Sequence, residues 1–111
     1  MALPLTSFQT IAQSVPLTKT QVYVAPTGYN TIVLLAQTVN TDIANQIFTM
    51  YHRRGSVETP VVYDYSIPPT EVLIASGSSS GRLVLEQADS LWIEGSSVNL
   101  QFIASVLETL K

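Results

Sequence analysis

The stretch Val98-Asn99-Leu100-Gln101-Phe102-Ile103-Ala104-Ser105-Val106-Leu107 divides into two sets by parity. Val98, Leu100, Phe102, Ala104 and Val106 are all apolar, whereas Asn99, Gln101, Ile103, Ser105 and Leu107 are mixed. Successive side chains of a strand point to opposite faces, so this pattern is what an antiparallel strand shows when one face meets a core. Only its end, Ala104 to Leu110, is also compatible with a helical turn. Just upstream, Leu91 and Ile93 alternate with Trp92 and Glu94, and Gly95-Ser96-Ser97 separates the two runs, which reads as a hairpin. Arg82 to Glu86 is a further strand with Leu83 and Leu85 inward, joined to the Trp92 strand by a tight connection over Ala88 to Ser90.

Turn signals cut the rest of the chain into strand-sized pieces: Pro16, Pro26 with Gly28, Asn40 to Asp42, Gly55, Pro68-Pro69, Gly77 to Gly81, Ala88-Asp89 and Gly95. Short β-rich segments at such intervals predict an all-β sandwich or barrel. Gln21 to Ala25, Val61 to Tyr65 and Glu71 to Ala75 are strands on this reading. Ile32 to Ala36 is continuously apolar and Gln46 to His52 has apolar residues of both parities, so each is expected to be central or to turn one face to another subunit. Ser76 to Gly81 reads as a mobile loop. Residues 1–19 form an N-terminal arm or edge strand ahead of a sandwich domain over 20–111. Phe8, Ile11, Ala12 and Val15 match helical spacing as well as a strand, but Thr10, Ser14, Pro4 and Pro16 lower helix propensity and favour the extended form. The expected fold is one antiparallel β-sandwich, jelly-roll or immunoglobulin-like, of about seven to nine strands.

Composition agrees and excludes several functions. Of 111 residues, 46% are apolar and 12% charged, with mean hydropathy of +0.28, which is the composition of a folding chain. Ser, Thr and Val each occur 12 times, a usage that suits half-buried pleated surfaces. Lys19, Arg53, Arg54, Arg82 and Lys111 are the whole cation supply, too few for general nucleic-acid binding, and the net charge is −3. The absence of cysteine removes disulfides, thiolate metal sites and Cys nucleophiles. The N-terminus carries no recognisable secretion signal and no stretch is long and apolar enough for a membrane-spanning helix, so no membrane partner is expected.

Candidate chemistry is thin. His52-Arg53-Arg54-Gly55 has the polar character of a catalytic or anion-binding cluster, yet it follows an apolar strand and leads into Gly55-Ser56, as a charged hairpin end does. A single histidine with no adjacent carboxylate assembles no zinc site and has no partner that sequence places beside it for serine chemistry. Asp64, Asp89 and Glu94 are not fixed on one face by their spacing and read as solvated surface groups. Asp42, in Asn40-Thr41-Asp42, is better explained as a turn residue bonded to local backbone than as a calcium ligand. The Ser-rich loop lacks the lysine and the following helix of a phosphate cradle. No enzyme activity and no cofactor are expected.

What remains is apolar and aromatic excess. Trp92 lies on the opposite parity from Leu91 and Ile93, and Tyr23, Val84, Ile103 and Leu107 fall on the less core-like parity of their strands. Together they argue for a subunit interface, because contiguous exposed apolar patches are uncommon on monomers and Trp and Tyr dominate interface energetics. The candidate contact residues are Phe8, Ile11, Tyr23, Tyr51, Trp92 and Ile103. The same aromatic chemistry suits sugar stacking, and Trp92, Tyr63 and Tyr65 define the alternative of a carbohydrate-binding module.

The order of motifs resembles a small β-sandwich found among virion structural proteins of tailed bacteriophages. The matching elements are Val22-Tyr23-Val24-Ala25-Pro26 with Gly28, the strand Ile32 to Leu35, Val39-Asn40-Thr41-Asp42 leading into Ile47 to His52, and Ile67-Pro68-Pro69. They continue through Gly81-Arg82-Leu83-Val84-Leu85, Ala88-Asp89-Ser90-Leu91-Trp92-Ile93 and the closing strand from Val98, covering about residues 20 to 108. The resemblance implies a capsid decoration, neck or tail accessory component of a virion, built into homo-oligomers of three or more copies and contacting other virion proteins. Residues 1–19 fall outside the pattern, as an arm reaching a neighbouring subunit would. His52-Arg53-Arg54-Gly55 replaces the usual acidic or Gly-rich turn, which makes Arg53 and Arg54 candidates for an electrostatic contact with an acidic capsid or tail surface.

Overall fold

The computed structural model describes residues 6–77 and 81–111. Among them are nine strands and no helix: β1 (Thr6–Ser14), β2 (Thr20–Val24), β3 (Tyr29–Asn40), β4 (Gln46–Arg54), β5 (Val57–Ile67), β6 (Val72–Ser76), β7 (Leu83–Leu85), β8 (Ser90–Gly95) and β9 (Leu100–Leu110). They form two antiparallel sheets. The first has the order β1-β9-β3-β6, with β7 sharing the β6 side of β3, and the second has the order β2-β8-β4-β5. Two facing sheets in this order make a β-sandwich of jelly-roll type, in agreement with the sequence expectation.

Alternation decides which side chains meet between the sheets. Leu100, Phe102, Ala104 and Val106 of β9, Val33 and Ala36 of β3, Phe48 and Met50 of β4, and Leu91 and Ile93 of β8 are all buried in one cluster. Phe48 and Phe102, one from each sheet, stack with ring centroids 6.2 Å apart. Burial of each such large apolar side chain contributes about 1.5–3 kcal/mol relative to leaving it in water.

The apolar runs 32–36 and 46–52 lie on the central strands β3 and β4, as expected. In β3 the pairing with β9 skips Leu34, between Val33↔Val106 and Leu35↔Ser105. This bulge resets the parity, so Thr31, Val33 and Ala36 face inward while Ile32 and Leu35 face out. Thr6–Ser14 is an edge strand, paired with β9 over nine consecutive positions.

Two expectations change. The runs around Trp92 and Phe102 are not a hairpin: β8 pairs with β2 and β4, whereas β9 pairs with β1 and β3. The Gly95 to Asn99 link crosses from one sheet to the other, anchored where Gly95 N–H donates to Pro16 O and Ser96 N–H to Ile47 O, both at 3.0 Å. Alternation shows which face of a strand is buried but is silent about which strand lies beside it. The loop read over 76–81 falls partly on residues 78–80, outside the described ones. Ser76 itself closes β6, buried, with its hydroxyl donating to Val33 O at 3.0 Å and accepting from Leu83 N–H at 3.1 Å.

Candidate functional site

The outer face of the first sheet is assembled by register. Side chains directly opposite in an antiparallel ladder share a face. Phe8 lies opposite Leu107, Leu107 opposite Ile32, and Ile32 opposite Val84, giving an apolar row across four strands. Phe8 is 74% and Val84 53% exposed. A parallel row runs Ala12, Ile103, Gln37, Ile74, and the next Ser14, Gln101, Val39, Val72. Leu35 stands between these rows opposite Ser105, which is itself opposite Thr10. None of these positions carries a charge. Val84, Ile103 and Leu107 are thus where their parity put them, and Phe8 joins them. Ile32 and Leu35 belong to the run 32–36 that the sequence expects to be central or to turn one face to another subunit, whereas Val39, Val72 and Ile74 carry no such signal, because only the register shows that they fall on this same face. Ile11 faces the other way, opposite Ala104, and packs half-buried against the core.

The outer face of the second sheet has opposite chemistry. Tyr51 of β4 lies opposite Trp92 of β8. The Arg53 guanidinium sits 4.1 Å over the Trp92 ring and Lys19 Nζ 4.2 Å over the Tyr51 ring. Glu58 joins these two cations, accepting from Lys19 at 2.7 Å and Arg53 at 2.6 Å. Those bonds, that of Lys19 first, hold its carboxyl below the usual range. The Tyr51 hydroxyl donates to Glu94 at 3.0 Å, and burial together with that carboxylate pushes its pKa up to about 12. The Trp92 indole N–H donates to Ser90 Oγ at 2.9 Å. The charge of Arg53, one ring face of Trp92 and the indole donor are therefore engaged within the chain. Tyr63 and Tyr65 are exposed on the edge strand β5.

At one end of the sandwich, Asp89 gathers the polar residues that the sequence left apart. Its carboxylate accepts from Arg54 Nε at 2.9 Å, Arg54 Nη2 at 2.7 Å and Glu86 N–H at 3.0 Å, with His52 Nε2 at 3.1 Å. Arg54 also reaches Glu86 at 2.9 Å. Asp89 is buried, which corrects its reading as a solvated surface group, and His52 does have a carboxylate partner. Both corrections arise from the β4–β8 ladder, which brings residues 35 and 37 positions apart into contact. Hydrogen bonding by Arg54 outweighs the opposing effect of burial and holds the Asp89 carboxyl well below the ordinary range. Arg54 clamps this carboxylate by bidentate bonds, the arrangement of a structural ion cluster.

Tyr23 also departs from its parity. A register shift between Gln21 and Tyr23 turns the ring toward the core, where its hydroxyl donates to the buried Glu108 at 2.5 Å and lies 2.9 Å from Thr31 Oγ1. Burial, then the carboxylate, raises its pKa. At the opposite end, Asn40 Oδ1 accepts from Asp42 N–H at 2.8 Å and Asp42 Oδ1 from Ile43 N–H at 2.7 Å, the local turn bonding read from the sequence. Asp42 Oδ2 accepts from Gln46, Ser97 and Asn99. Among the described residues no group of three His, Cys, Asp or Glu is placed to hold a metal ion.

No protein-family model and no curated protein sequence matches the chain. Among solved structures, a chain from Bacillus endospore appendages, described as a novel family of disulfide-linked pili, is similar over 96% of this chain and 88% of its own, with 14% identity and a TM-score of 0.48.

Proposed function

We propose that this chain is a non-enzymatic structural subunit of a tailed-phage virion, a capsid decoration, neck or tail accessory protein, that assembles by packing the outer face of its first sheet against that of a second copy. The observation that carries the assembly reading is the uncharged face running from Phe8 across Leu107 and Ile32 to Val84. An uncharged apolar face is best covered by another of the same kind, and this chain supplies one. Four strand positions and nine rungs give a footprint of roughly 590 Å² at strand spacings of about 4.8 Å and rises of about 3.4 Å. That is about a quarter below the ~800 Å² per partner of a standard specific interface. The virion assignment draws on the motif order over residues 20 to 108.

Replacing Ile103 and Leu107 together by Glu tests the assembly. Both side chains point away from the core, so the variant should fold and lose oligomeric mass in sedimentation. An unchanged mass would remove the face from the proposal. Mass spectrometry of washed particles, with copy number per virion, tests the location. Binding to free glycans on an array without particle incorporation would replace the virion reading with the sugar-binding one through Trp92, Tyr63 and Tyr65.

A further inference from the structure

The four sheet borders are protected very unequally. Natural sandwiches keep edge strands from pairing with other chains by making them short, bulged, charged or proline-bearing. β2 has five residues and a register shift. β5 carries Glu58, Pro60 and Asp64, two register shifts against β4, and a positive φ of 46° at Asp64. The border opposite β1 is divided between β6, with five residues and a register shift, and β7, with three residues. β1 has none of these devices: Thr6–Ser14 contains no charge, proline or glycine, and pairs with β9 over nine positions without a shift.

The direction of its backbone groups follows from one bond. Val15 N–H donates to Leu100 O at 2.9 Å, so Val15 and Leu100 are a hydrogen-bonded pair. Such pairs alternate along an antiparallel ladder. Ser7, Gln9, Ile11 and Gln13 therefore turn their N–H and C=O toward β9, and Thr6, Phe8, Thr10, Ala12 and Ser14 turn theirs to the open border. Gln13 Nε2, 3.4 Å from Ser14 O, is the side chain that reaches this row.

We propose that β1 pairs edge to edge with β1 of a second copy, antiparallel about a twofold axis at Thr10, merging two first sheets into one. This register uses all nine residues: Thr10 meets its mate, Phe8 meets Ala12, and Thr6 meets Ser14. Outward residues meet outward residues, so the pleat continues through the junction, and Phe opposite Ala avoids crowding. With no charge on the strand, no like charges oppose one another. The merged sheet doubles the outer face to roughly 1,200 Å², beyond the ~800 Å² per partner of a standard interface. This purpose rests on the assembly reading above, while the pairing itself rests on the border alone.

The Ile103→Glu/Leu107→Glu chain separates the two contacts, because its altered residues lie on β9. It should sediment as a dimer at micromolar concentration, with the amides of Phe8, Thr10 and Ala12 protected from hydrogen exchange. Adding Thr10→Pro removes an N–H that β9 does not use. It should give a monomer in which the Phe8 and Ala12 amides exchange on the order of 100-fold faster while Ile11 and Gln13 stay protected. A monomeric Ile103→Glu/Leu107→Glu chain, a dimer with unprotected Phe8, Thr10 and Ala12, or an open-ended polymer would each overturn the pairing. If Thr10→Pro unfolds the chain, exchange in the Ile103→Glu/Leu107→Glu chain still decides. Failure of the face reading shows separately, as oligomeric mass that Ile103→Glu/Leu107→Glu leaves unchanged.

Discussion

Asp89 shows how much of this sandwich depends on a single polar side chain. It is only 1% exposed, and burying a carboxylate is costly unless charge-assisted hydrogen bonds replace its water. Arg54, His52 and the Glu86 amide supply them, while the Asp89 backbone accepts from Ala25 N–H at 2.8 Å and donates to Glu86 O at 3.0 Å. The residue ties the ends of β2 and β4 to the link between β7 and β8. Replacing it by Asn should lower stability by about 2–4 kcal/mol, because Arg54 loses its anion and the buried amide side chain matches fewer donors. Its folded pKa lies below the ordinary value of 3.8, so the stability it adds is fully present above that value and is lost as pH falls through the folded value. Thermal melts should therefore separate wild type from Asp89→Asn at pH 7 and bring them together in strong acid. A gap that stayed constant would refute the ionic account. None of this was legible beforehand, because no local spacing places residue 89 against residues 52 and 54. The Asn40-Thr41-Asp42 turn was legible because its defining bonds are local.

At the scale of elements, parity was read correctly wherever a strand keeps its period. β9, β8 and β7 turn inward the residues expected of them, except Val98, which precedes β9 and is exposed. Tyr23 departed from its parity because of a bulge, and the Gly95 link was misassigned because a short Gly-Ser connection serves a sheet crossing as well as a hairpin. The β3 bulge has its own support. Gly77, at φ 101°, lies against the bulged residue, and an added Cβ would meet Leu34 O at 2.5 Å and Leu35 Cα at 3.3 Å. The obstacle is backbone and the conformation is left-handed, so the clash has no cheap relief. Gly77→Ala should cost about 2 kcal/mol or more in denaturant unfolding, against a few tenths for an alanine on an exposed strand surface. Gly55→Ala is the control: its φ is also positive, at 59°, but no atom lies within 4 Å, so it isolates the conformational part.

Across the whole molecule, the few charges are segregated. Lys19, Arg53, Glu58 and Glu94 cluster on the second sheet with Tyr51 and Trp92, and His52, Arg54, Glu86 and Asp89 gather at one end. The first sheet's outer face has none. Association through an uncharged face gains nothing from Coulomb attraction, so its mass in sedimentation should persist or increase at about 1 M salt, where the screening length is about 3 Å. Dissociation at high salt would point instead to a charged contact such as one through Arg53 and Arg54. By itself the sequence determined that the chain is all-β and, for strands that keep their period such as β8 and β9, which face lines the interior, because strand periodicity and turn chemistry are local properties. Only the tertiary structure decided which strands are neighbours, that Tyr51 and Trp92 are covered by the chain's own cations, and that Phe8, Leu107, Ile32 and Val84 form one row. Those outcomes depend on register between segments far apart in the chain, set by packing of the whole core.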